Sequence, residues 1–138
     1  MTGKLLATVA AAALVFVGTV ANADILSFGA TLKGANTPAA SKASGEVTAV
    51  LDTDQGVLDY TVTYQGLSGP ALAADFNDSG AGGAAIVAAS GTSSPIHGTI
   101  RLNSSQVRDL NADRWSFDVT TRAVPSGEIQ GVIRRRSS

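Results

Sequence analysis

Residues 58–64 alternate without a break: Leu58, Tyr60, Val62 and Tyr64 on one side, Asp59, Thr61 and Thr63 on the other. Side chains of an extended strand point to opposite faces in turn, so this pattern specifies a strand with one buried and one wet face. The same period recurs along the chain. Phe28, Ala30 and Leu32 share one face of a first run, and Val47, Ala49 and Leu51 one face of a second. Ile96, Gly98, Ile100 and Leu102 oppose His97, Thr99 and Arg101, while Trp115, Phe117 and Val119 oppose Ser116, Asp118 and Thr120. Ile129, Gly131 and Ile133 close the series.

Turn chemistry separates these runs. Asp52-Thr53-Asp54-Gln55-Gly56 suits a hairpin connection, and residues 66–70 and 124–127 are further breaks rich in Gly, Pro and Ser. Two weaker strands are predicted over 71–76 and 84–88, flanking a loop over 77–83. A helical turn is predicted over 104–110, capped by Asn103 or Ser104, and a loop over 34–43. The predicted fold is all-β: an antiparallel Greek-key sandwich or barrel of about eight strands.

The N-terminus reads as a secretory signal peptide over residues 1–23. Lys4 is its single charge, an apolar stretch follows, and Ala21-Asn22-Ala23 fits a small-residue cleavage pattern. The same stretch is near the lower length limit of a membrane span, which makes a retained anchor the alternative. After cleavage no span remains, and residues 24–138 form one domain's worth of chain. That domain is expected to be secreted or periplasmic.

Composition removes whole classes of chemistry. The sequence has one histidine and no cysteine, so disulfides and most transition-metal centres lack their ligands. Ten basic residues balance eleven acidic ones, which gives no general attraction for nucleic acid. No cofactor is implied. His97 falls on the polar side of its strand and reads as a surface histidine. No G-x-S-x-G elbow supports a hydrolytic triad. Asp52-x-Asp54-x-Gly56 lacks the closing Glu of a calcium loop and reads as a hairpin turn. Glu46 and Glu128 are the only glutamates, and nothing fixes the separation that glycoside hydrolysis would need. Arg134-Arg135-Arg136 reads as a solvated basic tail, and Trp115 and the tyrosines as core. Residues 81–89, small and uncharged, read as a buried strand or as an edge able to pair with another chain.

The order of the pieces resembles a CHRD domain, a module named from chordin and found in many bacterial secreted proteins. Pro125-Ser126-Gly127-Glu128-Ile129-Gln130-Gly131-Val132 is similar to the family's closing P-x-G-E-I-R-G-x-[VI] pattern, with Gln130 in place of the usual Arg. Residues 28–36 with 43–47 resemble its first two strands, and 58–62 with 65–67 its central strand and turn. The resemblance implies that Glu128 supports the closing turn. The departures fall on histidines. The family's H-I-H-x-G segment is matched by Asp75-Phe76-Asn77, and Thr120 stands where a further imidazole is common. A copper site of the superoxide dismutase kind therefore does not carry over.

Asp75 and Asn77 would share one strand face, and Asp118 and Thr120 another. If those strands meet as the resemblance implies, the four form an oxygen-rich patch, to which Asp78 and Ser79 could add. Such a patch would suit a hard cation such as calcium, although calcium wants six or more oxygens; the preferred reading is a solvated patch that has lost a family site. The expected function is a non-enzymatic extracytoplasmic binding or structural module, with contacts made by loops that include 77–83. A metal-binding protein and a subunit of a surface assembly are the alternatives. Its partner is unknown, with a protein or cell-surface partner left open.

Overall fold

The computed structural model describes residues 24–34, 42–81, 84–89 and 91–137. The predicted leader and parts of the loops predicted over 34–43 and 77–83 lie outside the described residues. The strands are β1 (Ile25–Gly34), β2 (Ser44–Asp52), β3 (Val57–Gln65), β4 (Ala71–Asp78), β5 (Ala84–Ala88), β6 (Ile96–Arg101), β7 (Trp115–Thr121), β8 (Ile129–Val132) and β9 (Arg134–Arg136). All pair antiparallel in one sheet of order β5-β4-β7-β8-β1-β2-β3-β6, and β9 extends beside β1. The all-β antiparallel expectation holds. β8 and β9 keep one register against β1, since Lys33 faces Gln130 and Gly29 faces Arg134, so together they act as a single eighth strand.

The alternating residues do bury one face. Phe28, Leu32, Val47, Leu51, Leu58, Val62, Phe117, Val119 and Ile129 are all buried. Aromatic contacts show how the sheet bends around them. Tyr60 of β3 meets Phe76 of β4 edge-on at a centroid distance of 4.9 Å, and Phe117 and Trp115 of β7 lie 4.7 and 5.9 Å from Phe76. Four strands separate β3 from β4 in the sheet order. With neighbouring strands ~4.8 Å apart, a flat sheet would hold those rings far apart. The sheet therefore curls into a half-barrel with its apolar face inside. Burial of aromatic rings at such a junction is worth several kcal/mol.

Two glycine-dependent approaches shape this curl. A Cβ at Gly131 would collide with the carbonyl oxygen of Thr31, so only glycine lets β8 lie this close to β1. A Cβ at Gly98 would strike the Tyr60 ring. The glycine in the apolar register of β6 thus leaves room for a larger ring from β3.

Among the described residues the one α-helix is α1 (Ser104–Asn111), capped by Asn103. The Asn103 side chain accepts from the Gln106 amide at 2.8 Å, and the Gln106 side chain accepts from the Asn103 amide at 2.9 Å. This reciprocal box satisfies two amides that a helix start otherwise leaves unpaired. α1 buries Leu110 in the core.

Two local expectations are corrected. The loop predicted from residue 77 begins later, because β4 runs through Asp78. The arginine run is a strand rather than a solvated tail: Arg134 pairs with Asp113 at 3.1 Å, Arg136 with Glu46 at 3.6 Å, and the Arg135 guanidinium lies 5.8 Å over the Phe28 ring. The strand predicted over 84–88 is present as β5, at one end of the strand path and hydrogen-bonded to β4.

Candidate functional site

Polar side chains of β4, β7 and β8 meet on the outer face of the half-barrel. In β7 the inward set is Trp115, Phe117, Val119 and Thr121, which leaves Ser116, Asp118 and Thr120 facing outward. In β4 the inward set is Ala74, Phe76 and Asp78, which leaves Asp75 and Asn77 outward. The ladder sets Asp75 directly opposite Asp118, and Asp118 opposite Gln130 of β8. The Asn77 side-chain amide donates to Asp118 Oδ1 at 2.9 Å. Thr120 Oγ1 donates to the Ala73 carbonyl at 3.5 Å, a long contact that holds it to the backbone. Asp75, Asn77 and Asp118 thus come together, with Thr120 one step along the same face.

Asp118 carries the electrostatic signature of this patch. Partial burial raises its pKa above the usual carboxylate value, the facing Asp75 raises it further, and the Asn77 hydrogen bond opposes both. Like charges opposed across an antiparallel pair are destabilising.

Asp78 and Ser79 do not join the patch. Asp78 turns inward, is 2% exposed and accepts from the Gly80 amide at 2.8 Å. Ser79 Oγ donates to the Arg114 carbonyl at 3.1 Å. His97 stays on β6, exposed, with Nδ1 3.1 Å from Thr61 Oγ1. Asp52 accepts from the amides of Asp54 and Gln55 at 2.9 and 3.1 Å, the geometry of a hairpin turn. Among the described residues, no three histidine, cysteine or carboxylate side chains gather into a metal-holding group.

The second glutamate sits in a different setting. Glu128 is 1% exposed. It accepts from Ser68 Oγ at 2.6 Å, the Ser68 amide at 3.0 Å and Thr121 Oγ1 at 2.7 Å. Its own amide donates to the Val119 carbonyl at 2.8 Å. The carboxyl clasps the β3–β4 turn to the β7–β8 turn, and its polar atoms are satisfied as burial requires. Ser68 and Thr121 carried no sequence signal, because their role depends on where a distant turn lands.

A second polar region lies on the outer face of the other arm. A groove of about 700 Å³ crosses β6, β3, β2 and β1, lined by Thr99, Asp59, Thr61, Thr48, Ser27 and Arg136 among others. Thr99 Oγ1 donates to Asp59 Oδ1 at 2.8 Å.

The closing motif runs into β8, which lies between β7 and the first opening strand, β1, and its Glu128 holds Ser68 beside the central turn. A family model described as the CHRD domain matches residues 28–133. The chain belongs to the CHRD family. No curated protein and no solved structure matches it. The CHRD match runs from Phe28, the first buried residue of β1, to Ile133, the last of the core. Within this CHRD domain no helix of the described residues is long and apolar enough to cross a membrane.

Proposed function

We propose that this CHRD protein works outside the cytoplasm as a non-enzymatic binding or structural module. The observation that carries this reading is the disposition of polar groups on the outer face. They are tied to one another in separate pairs, Asn77 with Asp118, Thr61 with His97 and Thr99 with Asp59, rather than converging on one reacting centre. Catalysis by general acid and base needs partners held within hydrogen-bond reach of one substrate proton. The composition of the N-terminal stretch supports an extracytoplasmic location. Fractionation of producing cells with intact-mass analysis tests the location: the expected species lies outside the cytoplasm and starts at Asp24. Elemental analysis of that species tests the non-enzymatic reading, and stoichiometric copper or zinc would overturn it.

A second reading has one specific observation behind it. Asp75 and Asp118 face each other on the outer surface, and a hard cation between them would relieve their repulsion. Calorimetry with calcium decides it: the absence of heat at millimolar ion removes this reading.

A further inference from the structure

We propose that the groove across β6, β3, β2, β1 and β9 is a binding site for an oligosaccharide that carries a carboxylate. The inference rests on the binding-module reading and names a ligand class for it. Strand register builds the groove. Thr99, Asp59, Val50, Ser27 and Arg136 stand in one cross-strand row, and His97, Thr61, Thr48, Gly29 and Arg134 in the next. Rows of this kind are about 7 Å apart and strands ~4.8 Å apart. The groove is therefore a shallow, open trough that runs across several strands rather than along one.

Direction decides the ligand class. A peptide docks best along a strand edge, where free backbone amides and carbonyls await it. The middle of this groove crosses β3, β2 and β1, each laddered on both sides, and only its two ends reach strands with a ladder on one side, β6 and β9. Along that middle stretch side chains make the surface: the polar ones are hydroxyls, one carboxylate, one imidazole and one guanidinium, and Phe28, Ala49, Val50 and Tyr60 add apolar surface between them. A ligand that brings donors and acceptors on its own periphery fits such a surface, which is the chemistry of a sugar chain. Val50, 42% exposed in the middle of the row, and the threonine methyls offer an apolar strip for the C–H face of a ring. Asp59, fixed by Thr99, is an acceptor for sugar hydroxyls.

The end of the groove assigns the charge. A Cβ at Gly29 would overlap the Arg136 guanidinium, so the guanidinium rests on bare backbone there. Glu46 lies 3.6 Å from Arg136 Nη2, and both side chains are more than two-fifths exposed. An ion pair that long and that wet is weak. It orients the guanidinium and leaves donors for a fork-like bond to a ligand carboxylate.

Titration calorimetry of the mature protein with aldotetraouronic acid, xylotetraose and a short polyglutamate tests this. The acidic oligosaccharide is expected to bind about tenfold more tightly than its neutral counterpart, the equivalent of ~1.4 kcal/mol, and polyglutamate is expected not to bind. Arg136→Gln should reduce the acidic sugar to the affinity of the neutral one. Gly29→Ala should do the same by displacing the guanidinium, while strand content by circular dichroism stays unchanged. Asp59→Asn should weaken both sugars, and Arg122→Gln neither. No binding of the acidic sugar at several millimolar, equal affinity for the neutral sugar, equal affinity for polyglutamate, or an unaffected Arg136→Gln would each overturn the proposal. A failure here leaves the location and metal content that test the module reading untouched.

Discussion

Glu128 and Asp118 lie on neighbouring stretches of the same hairpin, yet the fold treats them in opposite ways. Glu128 is inside, fully enclosed, and three donors converge on its carboxyl. Asp118 is outside, half enclosed, and receives one side-chain amide while it faces a second carboxylate. The buried acid supports the architecture because its hydrogen bonds are complete. The more exposed acid is the less comfortable of the two, because partial burial and a like charge act together. Exposure alone is thus a poor guide to whether an acidic residue stabilises a sheet; the completeness of its partners decides.

The sharpest way to break this contrast is Glu128→Ala. It strands the buried Thr121 hydroxyl, releases the more exposed Ser68 and unclasps two turns, so denaturant melts should show a loss of about 3 kcal/mol. Thr121→Val nearly preserves shape but removes a buried hydroxyl that donates to Glu128 and accepts from the Val124 amide at 3.3 Å. Chemical denaturation should show a loss of about 1 kcal/mol, and no loss would mean that Ser68 alone holds the clasp. Asp118→Asn should act in the opposite direction. It keeps an oxygen for Asn77 and removes the opposition to Asp75, so stability at neutral pH should rise by roughly 0.2–1 kcal/mol.

The pH dependence separates the mechanism from simple repacking. The folded-state pKa of Asp118 is raised, so between its ordinary value and the raised one the folded state holds more protons than the unfolded state. Stability from this group is therefore present below the ordinary carboxylate value and is lost as pH climbs through the raised one. The advantage of Asp118→Asn should shrink as pH falls through that window. An advantage that is flat across pH would assign the effect to packing. The smallest expected effect is that of Asp75→Asn, which removes only the weaker contribution: it should move the Asp118 titration, followed by NMR, modestly downward.

Much of the half-barrel was legible because its interior is apolar wherever the period is clean. Residues 47–51, 58–62 and 115–119 point as their alternation predicts. The reading faltered where a polar residue turns inward or every residue is charged. Asp78 faces the core and so disguised the end of β4 as loop, and three consecutive arginines concealed β9. The patch of Asp75, Asn77 and Asp118 came from family likeness, not local spacing, since only strand pairing brings residue 77 to residue 118. The groove was invisible for the same reason. Gly29, Asp59 and Arg136 are neighbours only through the registers of three ladders.

The place of β8 has a consequence for how the chain acquires its structure. Ile129 pairs with Gly34 on one side and Val119 on the other, so the middle of the sheet is sealed by a segment that follows the other main strands in the chain. A polypeptide emerging N-terminus first carries two unjoined halves, β1–β2–β3 and β4–β7, until that segment arrives. Pairings over such sequence separations form slowly, because loop closure precedes any gain from contact. That order leaves the half-barrel open along its middle until the closing segment has been made, so the seam is the last part of the sheet that can form.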